Sequence, residues 1–148
     1  STAAIIRSLH VGDPILLQWV EAPFREGEHI KVLSSKRRQI GWVPACINPT
    51  FVEEMFIEAV KNHWPVDARV KRTGKVSGKD IWWCVVSVEF KVQYVSNGDE
   101  VYMALHNNRY HFNPECGDAQ KKRVPLNGAL RYGRIPCPKC ALPMETDK

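Results

Sequence analysis

Three cysteines and one histidine near the end of the chain have the spacing of metal ligands. They form two pairs, His111-x4-Cys116 and Cys137-x2-Cys140, with twenty residues between the pairs. A structural zinc ion takes four thiolate or imidazole ligands in a tetrahedron, and a C-x2-C pair brings two sulfurs to one ion from a tight turn. The sequence therefore predicts a structural Zn2+ site with His111, Cys116, Cys137 and Cys140 as its ligands.

The same residues allow two other interpretations. The sulfurs of Cys137 and Cys140 can form a disulfide, or all the thiols can stay free while His111 merely lies on a strand. His106 is the alternative ligand if His111 points away. Zinc explains the composition better, because the C-terminal part of the chain holds few large apolar side chains, and so short a segment rarely builds a sufficient core. Metal binding would contribute on the order of 10 kcal/mol to its folding.

The segments around these ligands predict a hairpin followed by a short helix. Residues 101–105 and 109–112 have strand patterns on either side of Asn107-Asn108, a turn dipeptide that tolerates positive φ. Residues 124–133 predict a helix, with Pro125 in its first turn and Gly133 just after its end. We expect hairpin, helix and ligands to form a zinc-stabilised module within residues 96–148.

Two of these stretches resemble a known zinc module. Tyr-His-Phe-Asn-Pro-Glu-Cys (110–116) and Ala-Leu-Arg-Tyr-Gly-Arg-Ile-Pro-Cys-Pro-Lys-Cys (129–140) are similar to the zinc domain of the Ada DNA-repair protein. The resemblance covers about residues 101–141 and implies zinc and a setting in DNA processing. The methyl-transfer chemistry of that family depends on four cysteines. Because His111 stands in place of the first, none of these cysteines is expected to be a nucleophile.

The N-terminal part of the chain predicts a small barrel. Strands are predicted at residues 4–9, 15–20, 29–33, 38–44, 66–72 and 81–92, and Gly41 indicates either a bulge or a close approach of another backbone segment. Short turns and a lone helix between the fourth and fifth strands favour a mixed β-barrel over an open doubly wound sheet. The predicted fold class is α+β, with a barrel domain over residues 1–95, about six strands and one helix, and the zinc-binding module over residues 96–148.

The helix of this barrel has clear start and stop signals. Either Asn48 caps it, with Pro49 at the first helical position, or Thr50 caps it through a capping box with Glu53. Pro65 ends it. One apolar stripe is predicted to face the core, and the carboxylates of Glu53, Glu54 and Glu58 to face solvent. The stripe consists of Val52, Met55, Phe56, Ala59 and Val60.

Residues 15–90 resemble a HIRAN domain, the small barrel found in some DNA-repair helicases. Glu-His-Ile-Lys-Val (28–32), Arg-Gln-Ile-Gly-Trp-Val-Pro (38–44) and Val-Asp-Ala-Arg-Val (66–70) carry the resemblance. The family implies binding of single-stranded DNA, notably its 3′ end. Its usual loop is Asn-Pro-Tyr-Asp, and Phe24, Arg25 and Glu26 stand here in place of Pro-Tyr-Asp. In these positions Phe24 would stack on a base and Glu26 would accept a hydrogen bond from the 3′-hydroxyl. Alternatively, Phe24 fills the core and Glu26 is a loop charge.

Charge and aromatic residues also suggest a nucleic-acid partner. The net charge is +5 and the basic residues are clustered, which favours phosphate contacts. Trp82 and Trp83 are adjacent on a strand, so either one is exposed as a stacking platform or both are buried between the domains. The predicted nucleic-acid-binding residues are Phe24, Arg25, Glu26, Lys36, Arg37, Arg38, Trp42, Lys71, Arg72 and Lys75.

Other classes of protein fit the sequence less well. No hydrolase elbow, phosphate-binding loop or H-E-x-x-H motif occurs, so no enzyme activity is expected. No apolar run approaches the ~18 residues of a membrane span. The odd number of cysteines, five in all, favours a reducing intracellular compartment, the cytoplasm or nucleus. The competing hypotheses are a protein-interaction module that binds a peptide or partner chain, and an accessory part of a larger DNA-repair enzyme.

Overall fold

The computed structural model describes residues 1–117 and 120–143 and shows a mixed α+β protein made mostly of strands. The chain divides into two compact units, Ser1–Asn48 with Val60–Phe90, and Pro49–Ala59 with Lys91–Lys148. The domain boundaries at 1–95 and 96–148 stay a prediction. In chain order the elements are α1 (Thr2–Arg7), β1 (Pro14–Trp19), β2 (Ile30–Ser34), β3 (Gln39–Trp42), α2 (Phe51–Lys61), β4 (Val66–Lys75), β5 (Trp82–Phe90), β6 (Glu100–Ala104), β7 (Arg109–His111), β8 (Lys121–Pro125), α3 (Leu126–Arg131), β9 (Ile135–Pro136) and α4 (Pro138–Ala141).

The first unit is built on a five-stranded antiparallel sheet with the order β3-β2-β1-β4-β5. The sheet curls into half of a barrel. Its apolar face packs into a core because alternate residues along each strand point to the same side. The buried members of this core are Ile6, Ile15, Val32, Ile40, Ala68 and Val70.

The prediction of a strand at residues 4–9 is wrong, because this segment contains most of helix α1. The Ser1 hydroxyl accepts a hydrogen bond from the Ala4 N–H and caps the helix. Ile6 is buried in the core, with Ile5 and Leu9 packed beside it. A short apolar run has no distinctive period, so helix and strand cannot be separated by pattern alone. The sheet of this unit therefore has one strand fewer than predicted.

The remaining strands of the first unit follow the predicted order with shifted ends. β4 continues to Lys75, so the connection to β5 is shorter than the sequence suggested. The β2–β3 pairing shifts register beside Gly41, which confirms the predicted irregularity there. A second shift lies between Val70 and Arg72 on β4.

Helix α2 begins with the capping box. The Thr50 hydroxyl accepts from the Glu53 N–H at 3.2 Å, and the Glu53 carboxylate accepts from the Thr50 N–H at 3.4 Å. Met55, Ala59 and Val60 are buried as predicted. The core assignment of Val52 is wrong, because its side chain is 59% exposed. The covered stripe of this helix therefore begins one turn later, at Met55.

The second unit contains a four-stranded sheet with the order β8-β6-β7-β9. β6 and β7 form the predicted hairpin across Asn107-Asn108, while β7 and β9 pair in parallel. Helix α3 and Gly133, with a φ of +72°, match the predicted short helix and its end. Strand β8, which carries the basic cluster at residues 121–123, was not predicted. The buried core of this unit is Val101, Met103, Tyr110, Leu126 and Ala129.

Among the described residues, no helix has both the length and the apolar character to cross a membrane.

The capping box gives the first testable prediction. Thr50→Ala removes the hydroxyl that accepts from the Glu53 N–H and is expected to lower the free energy of unfolding by about 1 kcal/mol. Val52→Ala in the same first turn is the matched control, because an exposed side chain changes stability by less than about 0.5 kcal/mol. Urea unfolding followed by circular dichroism measures both. Equal midpoints for the two variants would contradict the role of the cap.

Candidate functional site

The register of β7 with β9 brings the first two candidate ligands together. Tyr110 lies opposite Pro136, and the Cys137 N–H donates to the Tyr110 carbonyl oxygen at 2.9 Å. His111 and Cys137 each follow a member of this pair. Two residues that are distant in sequence are therefore held side by side by main-chain hydrogen bonds.

Helix α4 adds the next ligand. Cys137 stands at the N-cap, Pro138 occupies the first turn, and the Ala141 N–H donates to the Cys137 carbonyl oxygen at 3.0 Å. One helical turn places residues three apart on the same side. The sulfur of Cys140 consequently lies on the same side of this turn as the sulfur of Cys137, and both side chains are buried.

A tight turn after β7 supplies the fourth ligand. The Asn113 side chain accepts from the Glu115 N–H at 2.9 Å, and the Asn113 carbonyl oxygen accepts from the Cys116 N–H at 3.1 Å. Gly117 then adopts a φ of +76°, a left-handed conformation that other residues rarely take. A Cβ atom added to Gly117 would lie 4.0 Å from Cε1 of the His111 ring. The local sequence Asn-Pro-Glu-Cys-Gly therefore directs Cys116 back toward His111.

The four ligand atoms of His111, Cys116, Cys137 and Cys140 all lie within 4.8 Å of one another. His111 Nδ1 is 3.4 Å from Cys140 Sγ, and the sulfurs of Cys116 and Cys137 are 3.9 Å apart. Zinc–sulfur bonds of ~2.3 Å in a tetrahedron separate the ligand atoms by about 3.7 Å. The cluster can therefore hold one metal ion, and its dimensions and donor set are compatible with zinc.

Two of the alternatives left open by the sequence, the disulfide and the ligand His106, do not fit this geometry. Cys137 and Cys140 are free thiols, so the C-x2-C disulfide is not formed. His106 lies exposed in the turn after β6 and is not among the clustered residues, whereas His111 is buried among the sulfurs. Of these two histidines, His111 is the one that lies in the cluster.

Burial and hydrogen bonds shift the pKa values of the four clustered side chains in different directions. The pKa of Cys137 falls to about 4, because its thiolate accepts a hydrogen bond from the Cys140 thiol and further ones from the backbone N–H groups of Cys140 and Lys139. The pKa of Cys140 is raised because its proton is held in that bond. Burial raises the pKa of Cys116 and lowers that of His111. Without metal, the cluster at neutral pH holds one thiolate, two thiols and a neutral imidazole.

A cleft of about 400 Å³ opens beside the cluster and is lined by His111, Cys116 and Cys137. Its wall includes an ion pair of 3.0 Å between Arg109 and Glu54. Arg109 also donates to the Pro136 carbonyl oxygen at 3.3 Å, just before Cys137. Glu54 was predicted to face solvent, and that prediction is wrong because the carboxylate is half-buried against Arg109. No local pattern could reveal this pair, since its members are far apart in sequence.

In the first unit, two of the predicted nucleic-acid residues form an aromatic stack, and a third lies over it. Phe24 is 59% exposed, and its ring lies parallel to that of Trp42 with centroids 5.4 Å apart. Arg25 lies over the Phe24 ring at 5.4 Å, and Lys31 lies over the Trp42 ring at 5.5 Å. Phe24 is therefore not a core residue. Lys31 was not predicted, although its place opposite Trp42 follows from the β2–β3 register.

The other predicted basic residues lie elsewhere on the same sheet. β2 and β4 both pair antiparallel with β1, so they run in one direction and end at the same end of the sheet. That end carries the β2–β3 turn and the second half of β4, and the Phe24–Trp42 stack lies at the opposite end. Glu26 is exposed in the loop beside the stack. The basic residues at the far end are Lys36, Arg37, Arg38, Lys71, Arg72 and Lys75, all exposed.

The two adjacent tryptophans are split between the two faces of the sheet. Trp82 packs against the buried core of the first unit, and its indole N–H donates to Asp80 at 3.2 Å. Trp83 points to the other face and is 41% exposed. The prediction that one of the pair is exposed is therefore confirmed, and burial of both is wrong.

No protein-family model matches the chain, and no curated protein and no solved structure matches it either.

The number of protons released when the metal binds can be measured. Zn2+ binding at pH 7 is expected to release about two protons, from Cys116 and Cys140, because Cys137 is already a thiolate and His111 is neutral. Apparent affinity should then rise roughly 100-fold per pH unit near neutrality. Titration calorimetry in buffers of different ionisation enthalpy gives the count. Three thiols with ordinary pKa values of ~8.5 would release about three protons, and that result would contradict the arrangement described here.

Loss of one ligand should remove the metal. Cys137→Ser is expected to abolish stoichiometric zinc binding and to unfold the second unit, since metal binding contributes on the order of 10 kcal/mol to such folds. Cys84→Ala is the matched control, because Cys84 lies on β5 outside the cluster. Zinc content after gel filtration and near-ultraviolet circular dichroism measure the two effects. A Cys137→Ser protein that retains one zinc per chain would exclude Cys137 as a ligand.

Proposed function

We propose that the protein is a zinc-stabilised module that binds single-stranded DNA and favours free 3′ ends. The metal is zinc in a structural role, because thiolates with one imidazole in a tetrahedron favour Zn2+ over the hard cations. Four protein ligands would fill the coordination sphere, which leaves no position for an activated water. The proposal therefore assigns no catalysis to the cluster.

The observation that carries DNA binding is the stack of Phe24 on Trp42. An exposed aromatic ring held parallel to a second ring presents a flat surface on which an unpaired base can stack, with a gain of about 1–3 kcal/mol per base. Arg25 and Lys31 lie within 6 Å of the two rings and supply positive charge for a phosphate. Arg25 occupies the place that a base would take on Phe24, and its exposed, flexible side chain can move from the ring to a phosphate.

Preference for a 3′ end rests on Glu26. Its exposed carboxylate lies in the same loop as Phe24, and a carboxylate accepts a hydrogen bond from a hydroxyl. A terminal 3′-phosphate would instead be repelled. The resemblance to HIRAN domains supports this assignment, because Phe24, Arg25 and Glu26 stand where that family contacts the DNA end. The resemblance of the C-terminal segment to the Ada zinc module supports a setting in DNA processing.

A second candidate function is recognition of a protein partner. Ile47 and Tyr94 are large apolar or aromatic side chains that are exposed in this structure. Exposed residues of this kind are common at protein interfaces, where aromatic anchors contribute most of the affinity. The two functions differ in their response to salt, because only contacts to phosphates release counterions and weaken steeply as salt rises.

DNA-end preference is tested by fluorescence anisotropy with labelled oligonucleotides that differ only at the 3′ terminus. The zinc-loaded protein is expected to bind the 3′-hydroxyl form about 10- to 100-fold more tightly than the 3′-phosphate form, the value of a hydrogen bond to a charged group. Glu26→Gln should reduce this ratio, and Phe24→Leu should weaken binding of the hydroxyl form.

Tyr94→Leu is the matched control, because it removes an exposed aromatic ring outside the stack. Equal affinity for the two termini would contradict recognition of the 3′ end. Absence of binding at low salt would exclude the nucleic-acid function and favour a protein partner.

A further inference from the structure

The outer face of the β4–β5 hairpin carries an aromatic ring that the stack described above does not use. In the β4–β5 register Trp83 lies opposite Gly74, while Val70 and its neighbours Val86 and Val88 point inward to the core. Alternation along the strands places Trp83 on the other side of the sheet. Its indole is therefore presented on a surface of the first unit.

Gly74 fixes the position of this indole. A Cβ atom added to Gly74 would lie 2.0 Å from Cζ2 of Trp83 and 2.5 Å from both neighbouring ring carbons. These distances indicate an approach onto the face of the ring, because an approach within the ring plane would leave the two neighbouring carbons distinctly farther away. One face of Trp83 is thus covered by the backbone of β4, and the opposite face is the one available to a ligand.

Two basic residues lie near this ring along β4. Arg72 precedes Gly74 by two residues on the outer face, and the register shift between Val70 and Arg72 leaves Lys71 as the extra residue of the strand. Both side chains are exposed, whereas Lys75 lies opposite Trp82 and belongs to the other face of the sheet. The hairpin has three acidic residues: Asp80 accepts from the Trp82 indole, Asp67 pairs with Arg69 at 3.1 Å, and Glu89 lies opposite Asp67, far along the strands from Trp83. The surface beside Trp83 is therefore left with a net positive charge.

We propose that Trp83 is a second base-stacking site, and that Lys71 and Arg72 contact the phosphates of the same single strand. An aromatic platform beside clustered cations complements a chain whose bases have flat faces and whose backbone is anionic. The site lies toward the end of the sheet that carries the β2–β3 turn, opposite the Phe24–Trp42 stack. This second site therefore binds nucleotides in the interior of the DNA strand and does not distinguish the 3′ terminus. The inference rests on the proposed nucleic-acid binding but not on recognition of an end.

The test is anisotropy binding of a labelled oligothymidylate prepared with a 3′-hydroxyl and with a 3′-phosphate. Trp83→Leu is expected to weaken binding of both forms by the same factor, about 5- to 150-fold for one stacked base. Trp83→Phe keeps an aromatic ring and should retain most of the affinity. Phe24→Leu, by contrast, should weaken the hydroxyl form selectively. Zinc content and circular dichroism establish that each variant is folded.

The proposed contact between Arg72 and a phosphate is tested by a separate pair of variants. Arg72→Gln should lower the slope of log affinity against log salt by about 0.7, the value for one phosphate contact on a single strand. Arg69→Gln on the same strand should change the slope little, because Arg69 is already paired with Asp67. Equal slopes for the two variants would overturn the proposed phosphate contact even if Trp83→Leu failed to fold.

The remaining outcomes separate the two proposals. If Trp83→Leu binds both oligonucleotides as tightly as the unsubstituted protein, the second site is excluded, while a surviving effect of Phe24→Leu keeps the proposed function. If the unsubstituted protein binds neither oligonucleotide at low salt, both proposals fail. Competition by polyglutamate as effective as that by unlabelled oligothymidylate would show a surface for acidic chains in general and would also overturn the stacking site.

Discussion

The parallel pairing of β7 with β9 is the interaction on which the candidate metal site depends. It is short, yet the hydrogen bond from the Cys137 N–H to the Tyr110 carbonyl oxygen fixes the start of α4 against the end of β7. From that point the first turn of α4 places Cys140, and the turn at Asn113 returns Cys116 to His111. Arg109 strengthens the same junction, since its guanidinium binds the Pro136 carbonyl oxygen and Glu54 together. A main-chain contact therefore determines side-chain geometry at the cluster.

The small core of the second unit is the reason why a bound metal would contribute strongly to its stability. Its buried core contains few residues, and small cores leave little net free energy after the entropy of ordering the chain. Three clustered sulfurs, two of them buried, would add cost if they were ionised without a partner, which is why only Cys137 loses its proton readily in the absence of metal. A divalent cation changes this balance, because it stabilises all three thiolates at once. The three cysteine side chains, whose ionisation costs free energy in the metal-free unit, would then stabilise the folded unit.

The sequence predicted features that depend on neighbours in the chain and missed those that depend on distant residues. Ligand spacing, the Thr50–Glu53 capping box and the Asn107-Asn108 turn are local, and the structure contains all three. Helix α1 was mistaken for a strand because six residues are too few for a period to show. The Arg109–Glu54 ion pair, and the separation of the Phe24 stack from the basic end of the sheet, follow only from strand order and register. Alternation predicts that Trp82 and Trp83 point to opposite faces of the sheet but does not say which of them points to the core. In the structure Trp82 packs on the core and Trp83 lies opposite Gly74 on the other face.

The central claim is that His111, Cys116, Cys137 and Cys140 hold one zinc ion. X-ray absorption at the zinc edge of the zinc-loaded protein tests it most directly, because the scattering separates sulfur from nitrogen ligands and gives their distances. The account predicts three sulfur ligands at ~2.3 Å and one nitrogen at about 2.0–2.1 Å. A shell with fewer sulfurs and additional oxygen ligands, or a protein that retains no zinc, would contradict it.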